Sequence, residues 1–196
     1  PNITVLINRG SGGFSEANNL GYQYARDRLK ASFILVLNND IEFIQKDFPT
    51  HLYQAYQECK CHVLGPDIIR SGTGEHQNPM DERLRTKEEA EATIRKNRMA
   101  LKLYPLIYPL LYWNNRWMER TQTQERKKSK DYYKSKKEKI VPFGACLIFT
   151  PLFVKAEEKA FDPETQFYYE EYILACRCQK KGYRIVYDPS LKMHHE

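Results

Sequence analysis

"SFILVLNND", residues 32–40, is an unbroken apolar run that stops abruptly on three polar residues. A run of that length and bulk reads as a strand covered on both faces, as in an α/β sheet. Its polar end then marks the carboxyl edge of the strand, where open α/β sheets bind ligands. Upstream, "ITVLIN" (3–8) reads as a strand entering the glycine-rich loop "RGSGGF". Ser15 and Glu16 open a predicted helix reaching about Leu29, because Ala17, Leu20, Tyr24 and Ala25 recur at helical spacing and serine is a good N-cap.

Downstream, the spacing predicts a helix over 48–58, a strand in "HVLGPDII" broken at Gly65 and Pro66, and a charged helical stretch from about Thr86 to Leu103. "PFGACLIFT" returns to the sheet, a helix covers 170–181 with Gly182 placed to end it, and "YRIVYDP" is the last strand. Strand and helix alternate as in a sheet with crossover helices. The stretch 86–139 interrupts that alternation as a helical, aromatic and basic insertion within one domain spanning 1–196. The absence of an initiator Met before a strand-like run leads us to expect a fragment of a longer protein.

The chain has 196 residues, enough for one domain with a substantial core. Its formal charge of +6 is concentrated in "RKKSKDYYKSKKEK" (126–139), which holds eight basic residues and two acids. The basicity is a local patch, so no nucleic-acid partner is expected. "LYPLIYPLLYW" (103–113) is too short for the ~20 residues a spanning helix needs. Beside Trp113, Trp117 and the basic run it reads equally as a segment lying on an anionic membrane surface or as a packed helical hairpin. Five cysteines and no signal peptide fit a reducing, cytoplasmic setting, peripheral on the inner membrane face if that segment binds lipid. Cys59, Cys61 and His62 could begin a zinc site, but no second ligand pair stands at suitable spacing.

Three constellations can carry chemistry. Asp40, at the end of "LNND", can hold Mg²⁺ or Mn²⁺, or the triplet can be an Asx turn. The loop "NRGSGGFSEANNLG" (8–21) lets backbone approach a ligand and leads into a helix N-terminus that favours an anion. "FYYEEYIL" (167–174) sets Glu170 and Glu171 beside Phe167, Tyr168 and Tyr169, which could raise a carboxyl pKa by desolvation, and "HH" closes the last strand at 194 and 195. On an extended backbone only one of those histidines faces a given site, and the spacing from Pro189 favours His194.

In order, "NRGSGGFSEANNLGYQYA", "FILVLNND", "VLGPDI", "GACLIFT" and "FDPETQFYYEEYILACRCQKKGYRIVYDPSLKMHH" resemble successive motifs of family 2 glycosyltransferases, especially bacterial enzymes of cell-surface polysaccharide synthesis. The resemblance implies a GT-A-like (Rossmann-like) α/β fold with a mixed sheet flanked by helices, incomplete at its N-terminus. It also implies a nucleotide-sugar donor, a glycan or lipid-linked acceptor, Mg²⁺ or Mn²⁺, and inversion at the anomeric carbon. Carried over by motif, Gly13, Phe14, Asn18, Asn19, Asn38 and Asn39 would contact the donor, and Asp40 and His194 the metal. Glu171 would be the base with Glu170 beside it, and His76, Gln77 and Asn78 of "GEHQNPM" (74–80) would meet the acceptor. "NND" keeps one carboxylate where the family usually has more, and the resemblance implies that the nucleobase-binding segment is missing or belongs to residues before these, so the donor nucleotide is left open. Two other classes fit less of the pattern: a sugar-1-phosphate nucleotidyltransferase, and a non-catalytic membrane-docking or nucleic-acid-binding module built on the basic run.

Overall fold

The computed structural model describes residues 3–8, 10, 13–112, 131–163 and 168–196. It divides into a main unit, 1–84 with 130–196, and a second unit, 85–129. The second is shorter than the insertion expected at 86–139, because 131–139 belong to the main unit. Within it, one helix runs Lys87–Tyr112, past the predicted end near Leu103. No helix among the described residues is long and apolar enough to cross a membrane.

The main unit is mixed α/β. Its strands are β1 (Ile34–Leu37), β2 (Ile41–Phe43), β3 (Val63–Arg70), β4 (Lys137–Glu138), β5 (Cys146–Phe149) and β6 (Ile185–His195). The helices are α1 (Phe14–Gln23), which runs on into a π-helical turn at Tyr24–Arg28, α2 (Phe48–Cys59), α4 (Pro151–Ala156) and α5 (Glu170–Lys180), with α3 the Lys87–Tyr112 helix of the second unit. The sheet order is β1-β5-β3-β6-β2, with β4 also on β6. β3 and β6 are parallel, and β5 is antiparallel to both β1 and β3, so β1, β3 and β6 end at the same edge.

Alternation along the strands sorts the core into two layers. On one face Leu147, Phe149, Val63, Ile185 and Tyr187 pack against Tyr22 of α1, Phe153 of α4 and Leu174 and Cys178 of α5. On the other, Cys146, Ile148, Leu64 and Val186 pack against Phe48, Leu52 and Ala55 of α2. Phe149 is the aromatic centre of the first layer, with ring centroids 5.5 Å from Tyr22, 4.7 Å from Phe153 and 5.9 Å from Phe161.

Three sequence readings need correction. Residues 3–8 form no strand; Ile3, Val5 and Ile7 are 85%, 81% and 75% exposed, because no described strand pairs with their backbone. Gly65 and Pro66 do not break β3. The register instead jumps between Pro66 and Asp67, pairing Pro66 with Asp188 and Asp67 with Lys192, so 189–191 of β6 have no opposite residue. Proline cannot donate to the ladder, which makes a bulge its natural place inside a sheet. The Gln45 side chain satisfies the extra residues by donating to Ser190 O at 2.9 Å and accepting from Lys192 N at 2.8 Å. The third correction concerns "CKCH": Cys59 and Cys61 are disulfide-bonded, against the expectation of a reducing setting, while Cys146, Cys176 and Cys178 are free thiols. His62 stacks on Tyr183 and accepts from Arg184 N through Nδ1.

Truncating Phe149 to Ala empties the middle of the first layer, and the expected loss is about 3–5 kcal/mol. The check is the denaturant midpoint, read with the slope to confirm that the unfolded surface is unchanged; a loss under ~1 kcal/mol would contradict this packing.

Candidate active site

The groups able to do chemistry gather at the carboxyl ends of β1, β3 and β6. β1 emerges into a turn at Asn39 and Asp40, and Asn38 N donates to Ala145 O at 3.0 Å. The chain returns at once as β2, antiparallel to the end of β6, so that Ile41 faces His195 and Glu42 faces His194. Glu196 N donates to Asp40 O at 3.1 Å, which pins the turn to the end of β6.

This pairing brings His195 to Asp40, with Nε2 and Oδ1 3.3 Å apart. His194 lies opposite Glu42 instead. The parity inferred from Pro189 fails because the β6 bulge adds an odd number of residues and inverts the alternation: Val186 faces the α2 layer before it, Leu191 and Met193 after it. Asp40 Oδ1 is buried and makes no hydrogen bond among the described residues. A buried carboxylate oxygen left in that state costs free energy unless a cation or donor meets it. No group of three or more His, Cys, Asp or Glu able to hold a metal occurs among the described residues. Asp40 alone supplies the single carboxylate with which Mg²⁺ commonly combines phosphate oxygens and water, and His195 beside it would be a second protein ligand.

After β3, the loop predicted to meet an acceptor splits its three residues among different tasks. His76 Nδ1 donates to the buried Asp67 at 2.7 Å, and its ring stacks on Tyr133 with centroids 3.6 Å apart. Gln77 lies 2.7 Å from His195 Nδ1. Asn78 is fully buried and structural in its bonding, donating to Pro66 O at 2.6 Å and accepting from Phe143 N at 3.0 Å.

Glu170 and Glu171 begin α5 beside a cavity of about 590 Å³ lined by Phe14, Met80, Phe143, Tyr168, Tyr169 and Tyr172. Phe167, the third aromatic of the expected shelf, lies outside the described residues. Burial pushes the Glu171 carboxyl above its ordinary 4.5, opposed by its own backbone N–H and that of Gly144 and aided by the charge of Glu170. Gly144 allows this contact, because a Cβ there would lie 2.0 Å from Glu171 Oε1. Glu170 Oε1 is buried without a partner among the described residues. Phe143 joins the two halves of the site: it lines this cavity, and its ring centroid is 5.9 Å from that of His195.

The remaining predicted donor contacts differ in how freely they face a ligand. Gly13 caps α1 and Phe14, its first residue, lines the cavity while packing edge-on to Phe161. Asn18 donates to Phe14 O within the helix. Asn19 is buried and exchanges two 2.9 Å bonds with the Phe161 backbone, docking α1 onto the 157–163 segment. Asn38 and Asn39 are exposed. Sequence reasoning missed Asp67, Arg70, Phe143 and Gly144; only Asp67, an acid inside an apolar strand, carries a readable signal.

No protein-family model, no curated protein and no solved structure matches this chain.

Because Glu171 titrates higher folded than unfolded, the folded state holds more protons above pH 4.5, and its stability falls as pH rises through the raised pKa. Glu171→Gln should therefore raise the thermal midpoint at neutral pH and lose that gain below about pH 4, under the ordinary carboxyl pKa. Thermal melts at both pH values decide it; a lowered midpoint at neutral pH would mean that the carboxylate is stabilising.

Proposed function

We propose that this chain carries a GT-A-like, inverting glycosyl-transfer site, moving a sugar from a nucleotide-sugar donor to a glycan or lipid-linked acceptor in cell-envelope polysaccharide synthesis. The observation that carries the reading is the convergence on Phe143 of two distinct polar sets: Asp40 with His195, and the desolvated Glu171. Support from the fold is coarser, a mixed sheet whose parallel strands end at the site.

In this reading the acceptor sugar lies in the aromatic cavity, its hydroxyl within reach of Glu171. The acceptor oxygen forms a bond to the anomeric carbon as the bond from that carbon to the diphosphate oxygen breaks, and Glu171 takes the hydroxyl proton. The bonds from its own N–H and from Gly144 N–H orient the carboxylate, and its raised pKa makes it a stronger proton acceptor than a surface carboxylate. Attack from the face opposite the departing group inverts the configuration. Mg²⁺ or Mn²⁺, held by Asp40 and His195, would supply positive charge to the departing nucleoside diphosphate. In this reading exposed Asn38 and Asn39, with the Gly13–Phe14 helix start, would contact the donor.

An anionic membrane surface, where the acceptor is lipid-linked, would be met by the 85–129 unit, whose Trp113 and Trp117 lie with Lys127 and Lys128 outside the described residues. The rest of the basic run is largely neutralised on the main unit: Lys134 pairs with Asp131, Lys136 with Glu58 and Asp188, and Lys137 with Glu82.

Glu171→Gln keeps the shape and removes the proton acceptor, so transfer should fall by roughly 10²–10⁴-fold while nucleotide-sugar binding persists. Retained turnover in that variant would remove Glu171 from the chemistry. Asp40→Ala, or excess EDTA, should abolish transfer, and full activity in EDTA would end the cation part of the reading.

A further inference from the structure

The two hydrogen bonds around Gln77 decide which nitrogen of His195 carries the proton. The Gln77 amide lies between Arg70 and His195: one terminal atom is 2.7 Å from His195 Nδ1, and the other is 3.1 and 3.3 Å from Arg70 Nη2 and Nε. A guanidinium can only donate, so the atom facing Arg70 is the carbonyl oxygen. The atom facing His195 is then the NH₂, which donates to Nδ1, and Nδ1 must be the unprotonated nitrogen. In the neutral ring the proton is therefore on Nε2, the nitrogen 3.3 Å from Asp40 Oδ1. Arg70 is itself held, since its Nη1 donates to Glu75 Oε2 at 3.0 Å and leaves the other nitrogens of the fork for Gln77.

We propose that Glu75, Arg70 and Gln77 lock His195 in the tautomer protonated on Nε2, which cannot ligate a cation through that nitrogen, so that metal ligation by His195 requires the Gln77 amide to turn over. A nitrogen that carries a proton has no lone pair for a metal. For Nε2 to ligate, its proton must leave and Nδ1 must take one up and donate it. Gln77 can accept that bond only by presenting its oxygen to His195, which gives up its bonds to Arg70. Gln77 and Arg70 are in this sense positioning residues that act through His195. The lock rests on the reading of Asp40 and His195 as cation ligands; the tautomer assignment itself does not.

The lock makes a prediction of unusual sign. An ordinary supporting residue strengthens metal binding, and its loss costs about 10–100-fold in affinity. Loss of Gln77 should instead tighten binding, because it frees His195 to change tautomer. The experiment uses the full chain with ¹⁵N-histidine NMR at about pH 8.5, where an imidazole of ordinary pKa is neutral, and Mn²⁺ titration followed by electron paramagnetic resonance. His195 should be Nε2–H in the metal-free wild type. Gln77→Glu, whose carboxylate only accepts, should turn it to Nδ1–H, and the charge-neutral Gln77→Met should bind Mn²⁺ severalfold more tightly than wild type. A wild-type ring that is Nδ1–H, or a tenfold weakening of Mn²⁺ binding in Gln77→Met, would overturn the lock. The predicted tautomers in a protein that turns over no nucleotide sugar would uphold the lock's first step and remove the glycosyltransferase reading.

Discussion

The register of β6 against β3 is the constraint on which the candidate site depends. β6 is the only described strand that pairs with three others, β3 along its length and β4 and β2 on its opposite side. The jump at Pro66/Asp67 lets one strand serve both ends of the sheet. Before it, Ile185 and Tyr187 face the α1/α5 layer; after it, Leu191 and Met193 face the α2 layer, which carries His195 to Asp40. Without the three extra residues the parity would persist and the other histidine would take that place. Gln45, bonded to Ser190 O and Lys192 N on either side of Leu191, is what keeps the bulge from exposing these backbone groups unsatisfied.

Two polar clusters carry buried oxygens without described hydrogen-bond partners, and neither is arranged for stability. Glu171 sits where burial disfavours its charge, and Glu170 beside it has a buried oxygen without a described partner. Asp40 Oδ1 is in the same condition. Buried carboxyl oxygens of this kind cost free energy that an apolar replacement would recover, and the pairing of Glu170 with Glu171 at one cavity is the pattern expected of a functional site. Asn19 and Asn78 are the contrast: both are buried amides with complete backbone partners, and they fix α1 and the 78–79 segment in place.

Much of the architecture was legible because it rests on local pattern. The apolar runs at 34–37 and 146–149, the helices beginning near 14, 48 and 170 and the glycine at 182 all fall where periodicity places them, although α1 is capped by Gly13 and holds the expected cap, Ser15, within its first turn. What was not legible depends on partners distant in sequence. "ITVLIN" has strand composition, but composition does not supply a neighbouring strand. "GPD" reads as a break because proline and glycine weaken strands in general; here the bulge absorbs both. The choice between His194 and His195 turned on residues skipped at 189–191, which no count along β6 alone reveals. Phe143 and Gly144 gain their importance only when α5 is packed beside them.

The central claim is that Asp40 and His195, joined by the β6 register, form one half of a site whose other half is Glu171. Paramagnetic broadening by Mn²⁺ of the assigned amide spectrum tests it most directly, since broadening falls steeply with distance from the ion. At low Mn²⁺ the amides of Asp40, Gln77 and His195 should disappear first and that of Gly144 next, while Cys178 and Gly182, toward the other end of α5, stay sharp; Asp40→Asn should abolish the pattern. Broadening centred away from Asp40, or unchanged in Asp40→Asn, would contradict the account.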